Sequence, residues 1–182
     1  MKRSKVNRRM VRATILGVLG AFAAATSHSS GDVGFGQHSF EEAIRQADFI
    51  GVINLLELEQ ETPSSRLARG EVVEVWKGNA RDRVEINVKR VIGCDVSAAI
   101  PGETVVAILF YYPDENSYGF ALFGHGRLPV HAREGLRFVR IDVPVPADLP
   151  GVLLGGSESG ERVYRVEDVR EYVGRVLRRR NS

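Results

Sequence analysis

Asp48 to Glu59 reads DFIGVINLLELE, a run of β-branched and large apolar residues whose tail alternates with acids and which ends at the turn-forming Thr62-Pro63-Ser64-Ser65. A run of that length and closure predicts a strand. Working back from it, Phe40, Ala43, Ile44 and Ala47 fall at i, i+3, i+4 and i+7, with Ser39 placed as N-cap and Glu41-Glu42 in the first turn, where the helix dipole favours acids. A short amphipathic helix therefore feeds straight into the first strand. Working forward, Leu67 to Trp76 interleaves acidic and apolar residues, Lys77-Gly78-Asn79 turns the chain, and Val84, Ile86 and Val88 alternate onto one face. Pro101-Gly102 marks another turn before Thr104 to Tyr112, and Pro113-Asp114-Glu115-Asn116 divides that run from Ser117 to Phe123. Leu136 to Ile141 and Arg162 to Val166 are further strand candidates, with a Pro- and Gly-rich loop between them. Val166, Val169, Val173 and Val176 then keep helical spacing, widened by Tyr172 and Leu177, between Glu167-Asp168 and Arg178-Arg179-Arg180. The sum is a mainly β chain of five or six short strands with a helix at each end, which points to a small barrel or sandwich.

The first 25 residues have a different character. Lys2, Arg3, Lys5, Arg8, Arg9 and Arg12 precede an apolar run from Ala13 to Ala25, and the small residues Ala23-Ala24-Ala25 fit an A-x-A cleavage site, so residues 1–25 are expected to be a secretory signal cut after Ala25. The apolar run is about 13 residues, short for a bilayer of ~30 Å. No stable membrane span is expected after cleavage, and the mature chain is expected to be periplasmic or secreted. Residues 26–38 read as a flexible linker, 39–145 as the β-barrel-like domain, and 146–182 as a loop, short strand and helix packed on the same domain. Arg8-Arg9 lacks the apolar pair that a twin-arginine signal would place after it. The chain holds 25 basic and 23 acidic residues. Setting the six N-terminal cations aside leaves nineteen against twenty-three, a net charge of −4 that argues against a nucleic-acid partner. Cys94 stands alone, so no intramolecular disulfide forms; it is read as a buried free thiol, with an intermolecular disulfide as the rival.

Several of these residues carry a resemblance. The helix ending Ala47-Asp48 that runs into Phe49-Ile50-Gly51-Val52-Ile53, the strand ending Val75-Trp76-Lys77-Gly78, the pair Gly93-Cys94, and Pro101-Gly102-Glu103 before an apolar strand together resemble exported bacterial proteins related to the tissue inhibitors of metalloproteinases and the netrin-type module. The resemblance spans Phe40 to Gly126. It implies an OB-fold, a five-stranded Greek-key barrel, here flanked by an N-terminal and a C-terminal α-helix. The residues also have structural work of their own: Asp48 stands where the chain reverses into a strand, Trp76 is expected to close one end of a barrel, and Gly78 allows positive φ in a turn. The animal inhibitors chelate the protease zinc through an N-terminal cysteine of the mature chain. No cysteine lies near Ala25, which argues against that mechanism here.

Constellations with chemistry are sparse. His28, His38, His125 and His131 form no H-E-x-x-H or H-x-H pair, so neither a metal nor any other cofactor is expected. His125 and His131, six residues apart, are candidates to meet on a loop. Cys94 matches no nucleophile signature, Glu57, Glu59 and Glu61 alternate as on a solvated strand face, and Gly151 to Gly160 lacks the ending of a phosphate loop. Among the aromatics from Phe110 to Phe123, Tyr112 and Tyr118 are the surface candidates for stacking on a ligand. Arg178, Arg179 and Arg180 serve the helix dipole, with weak contact to an anionic surface as the alternative. The expectation is a non-catalytic exported binding module for another extracytoplasmic protein. The alternatives are an envelope hydrolase with a site dispersed over loops, and an inhibitor like the metalloproteinase inhibitors.

Overall fold

The computed structural model describes residues 39–62, 65–79, 82–89, 99–154 and 161–179. The expected signal with Ala25, the expected linker, His28, His38, Gly93-Cys94 and Arg180 lie outside them. The described residues all fall in one compact unit, Phe35–Ser182. Helix α1 (Phe40–Gln46) is followed by β1 (Phe49–Thr62), β2 (Ser65–Lys77), β3 (Arg83–Lys89), β4 (Thr104–Tyr112), β5 (Ser117–Phe120), β6 (Arg127–Pro129), β7 (His131–Arg133), β8 (Leu136–Val139), β9 (Val152–Leu154), β10 (Glu161–Arg165) and helix α2 (Val166–Arg178). The chain is mainly β. Six strands form one sheet in the order β1-β2-β3-β5-β4-β6, in which β1 also pairs β4, and four form a second in the order β7-β8-β10-β9. Among the described residues no helix is long and apolar enough to cross a membrane.

The alternation expected of strands divides the interior in two. Along β1, Phe49, Ile53 and Leu55 point into one cluster with Val84 and Ile86 of β3, Leu109 of β4 and Phe120 of β5. Ile50 and Val52 point the opposite way, with Val106 and Ile108 of β4, into a second cluster completed by Phe40 and Ile44 of α1 and by Val166, Val169, Tyr172, Val173 and Val176 of α2. The stretches Phe49–Leu55 of β1 and Val105–Leu109 of β4 are therefore buried on both faces, which is why each reads as a nearly unbroken apolar run.

The junction of α1 and β1 is held by the two motifs that carried the resemblance. Ser39 Oγ accepts the Glu42 N–H at 3.1 Å, the expected N-cap. At the other end, Lys77 Nζ donates to the carbonyls of Ile44 and Arg45 at 3.1 and 2.9 Å, a cation satisfying the last carbonyls of a helix. Asp48 donates its N–H to the Leu109 carbonyl, and its Oδ2 accepts the Tyr111 N–H at 2.7 Å, so the reversal is pinned to β4. Gly78 passes under this corner with φ +92°, and a Cβ there would stand 2.4 Å from the Asp48 carbonyl oxygen. Trp76 departs from expectation. It packs against the helix-side cluster and donates its indole N–H to Glu74 Oε2 at 3.1 Å. Its position on β2 turns it outward, toward α2.

Other differences follow from local physics. Strands β6, β7 and β9 are three residues each, too short for a periodic signal. Strand β5 stops at Phe120 because Leu122 and Phe123 take left-handed conformations, φ +54° and +53°. Glu57 and Glu59 do stand exposed on one face of β1, both ion-paired to Arg69 at 3.2 and 3.4 Å, while a register shift between Leu55 and Glu57 leaves Leu56 exposed as well.

Candidate functional site

Beyond Phe120 the chain makes a tight turn. Ala121 donates its N–H to the Ile108 carbonyl, Leu122, Phe123 and Gly124 follow with positive φ, and the N–H groups of Gly124 and Gly126 both return to the Ala121 carbonyl, at 3.1 and 2.9 Å. Gly126 is wedged against β4: Ile108 donates to its carbonyl at 2.9 Å, and an added Cβ would lie 2.7 Å from the Ile108 carbonyl oxygen. This knot fixes the direction in which His125 and then Arg127 of β6 leave the sheet.

They leave it into a cleft of about 540 Å³ between β6 and the second sheet. Its polar wall is His125, Arg127, His131, Arg133, Arg140 and Asp142, and its apolar wall includes Leu128, Phe138 and Val163. The two histidines singled out in sequence thus share one site. The arginines around them are partly engaged. Arg127, whose side chain is 11% exposed, has its Nη2 on Glu103 in a close ion pair. Arg140 meets both oxygens of Asp142, at 2.5 and 3.0 Å, and Arg133 lies 3.7 Å from the largely exposed Glu134. Two buried polar atoms of this wall find no hydrogen-bond partner: His125 Nδ1 and Arg127 Nε. Among the described residues no group of three or more His, Cys, Asp or Glu could hold a metal ion.

The aromatic candidates separate. Tyr112 is exposed at the end of β4. Tyr118 is 9% exposed, with its ring edge-on to Phe49 at 6.4 Å and tilted against Tyr111 at 5.2 Å. The expectation of a surface Tyr118 is corrected: on the short β5 its side chain joins the inner cluster. Phe123, lifted out by its left-handed backbone, is the other exposed ring of this stretch.

A second polar group ties α2 to the sheet. Glu74 accepts from Trp76 and from Arg137 Nη1 at 2.9 Å, Arg170 stands 3.7 Å away, and Arg137 also bridges to Glu167 at 2.9 Å. Burial raises the Glu74 pKa, but the hydrogen bonds from Trp76 and Arg137 outweigh it and hold the carboxyl below its ordinary range. The Arg137 guanidinium is correspondingly raised by Glu167 and Glu74. At the end of α2, Arg178 lines a shallow cleft beside Trp76, and Arg179 lies 3.8 Å from Asp148.

Sequence reasoning found the histidines and missed the arginines. A signal was present: from Gly124 to Ile141 the chain holds His125, Arg127, His131, Arg133, Arg137 and Arg140 against the single acid Glu134. No protein-family model matches the chain, and no curated protein is significantly similar to it.

Proposed function

We propose that the chain is an exported binding module of OB-fold type whose ligand is another extracytoplasmic protein. The OB-fold reading is supported by the pairings: β1 with β2, β2 with β3, β3 in parallel with β5 through Ile86 and Tyr118, β5 with β4, and β4 back to β1. Five strands that each have two neighbours make a ring with Greek-key order, enclosing the cluster around Phe49 and Ile86. Relationship to the metalloproteinase inhibitors and netrin-type modules is the family reading that goes with it. Export rests on the basic, apolar and small-residue succession of residues 1–25.

The observation that carries a protein partner is the far end of β2. Strand β3 pairs only with Ser65–Glu71, so among the described residues Val73–Lys77 has a strand neighbour on one side alone, and there Val73 and Val75 expose apolar side chains. An open strand edge with alternating apolar side chains suits addition of an extended segment of a partner, main chain supplying affinity and side chains specificity. The test is affinity capture: the chain from Thr26, immobilised through its C-terminus, is exposed to an envelope extract of the source cell, beside a Val73→Lys/Val75→Lys variant. One protein retained by the wild type, competed by free domain and lost by the variant is the expected result. Retention equal on both, or none, refutes the proposal.

A further inference from the structure

We infer that the cleft between β6 and the second sheet is a binding site for a small organic carboxylate, the acid group meeting Arg127 and His125 and the apolar body lying along Phe138 and Leu128. The first ground is hydrogen-bond accounting. Arg127 Nε–H is always a donor, His125 Nδ1 is one whenever it carries the proton, and both are buried without a partner in the same wall. Buried donors left unmet are costly, and an acceptor-only group brought to them recovers that cost as affinity.

The second ground is charge. Arg127, Arg133 and Arg140 face Asp142 within the cleft, with Glu103 behind Arg127; Glu134 points to solvent beside Arg133 and does not line it. Among the lining residues three arginines stand against the single acid Asp142, so the wall itself suits an anionic head group. The third ground is shape. About 540 Å³ with an apolar wall lies in the range of small-molecule sites, and exceeds what a carboxylate alone would fill. The fourth is preorganisation. His125 follows three successive left-handed residues, and Gly126 is locked to Ile108, so the backbone that carries the two donors is set before any ligand arrives.

This site is distinct from the β2 edge, so it stands or falls separately from the protein-partner proposal. The probe is sodium octanoate, kept below its micelle-forming range and titrated into the chain from Thr26, with heat of binding and the imidazole proton resonances of His125 and His131 as readouts. Octan-1-ol and acetate test the head and the tail alone. The expected result is one octanoate per chain with both histidines shifted, and octanol and acetate each weaker by roughly tenfold or more. His125→Ala and Arg133→Ala keep the buried Arg127 pair and should each weaken octanoate; Glu103→Gln/Arg127→Gln removes both buried charges together and should weaken it most. Unmoved histidine resonances, octanol binding as tightly as octanoate, or undiminished binding by folded His125→Ala and the double variant overturns the assignment.

Discussion

Replacing Tyr172 by Phe isolates one hydroxyl in the helix-side cluster. The ring is 1% exposed, stacks on Phe40 at 6.3 Å, and donates its O–H to Glu41 Oε2 at 3.3 Å. Burial, then the nearby charges of Glu41 and Asp148, push its pKa from 10.0 up to about 12. The folded state therefore keeps a proton that the unfolded chain releases above pH 10, and stability falls as pH rises from 10 towards 12. At 1.36 kcal/mol per pKa unit the loss is about 1.4 kcal/mol by pH 11 and about 2.7 kcal/mol above pH 12. Phenylalanine has no such proton. At pH 8 the variant lacks one long hydrogen bond and keeps the ring stack, so it is less stable by about 0.5–1 kcal/mol. The two curves must cross: wild type is the more stable at pH 8, the variant at pH 11. Urea denaturation of both proteins at half-unit steps from pH 8 to 11.5 measures the difference, in which the titration of every other tyrosine and lysine cancels. Parallel curves across that window would refute the assignment of a raised pKa to Tyr172.

Gly78→Ala is expected to cost at least about 2 kcal/mol, because a positive φ combines with a clash against the Asp48 carbonyl. Gly102→Ala, with φ +87° and open space around it, isolates the backbone part and should cost about 1 kcal/mol in the same urea titration. Glu74→Gln is expected to cost about 1–2 kcal/mol at neutral pH through weaker bonds to Arg137 and Trp76. Because the folded Glu74 pKa lies below 4.5, its contribution is present above that value and is lost as pH falls through the folded pKa, so the gap between wild type and variant should close in acid unfolding curves.

Much of the fold was legible because its signals are local. Ser39 and Glu41-Glu42 announced α1, the valine spacing announced α2, and the runs Phe49–Leu55 of β1 and Val105–Leu109 of β4 were continuous because neither stretch has a wet face. Strands β6, β7 and β9 were hidden because three residues cannot display a period; β6 in addition pairs with the remote β4, whereas β7 and β9 pair with the next strand along the chain. The direction of Trp76 was hidden too, since which face of β2 meets α2 is a matter of packing between remote segments. For the cleft, His125 and His131 stood out as residue types, whereas Arg127, Arg133 and Arg140 looked like ordinary solvated cations. What distinguishes Arg127 is burial beside Glu103, a partner 24 positions away that no spacing rule selects.

The two-sided burial of β1 and β4 also constrains how this domain can diversify. Nearly every side chain of Phe49–Leu55 and Val105–Leu109 is committed to one interior or the other, so a substitution that would place a new contact there disturbs a packed cluster first. Room for change lies in the elements with a solvent side: the end of β2, the turn around Phe123, and the short strands of the second sheet. Two strand segments that contribute almost no surface thus set the frame, and a lineage built on it can rewrite its periphery while leaving its centre untouched.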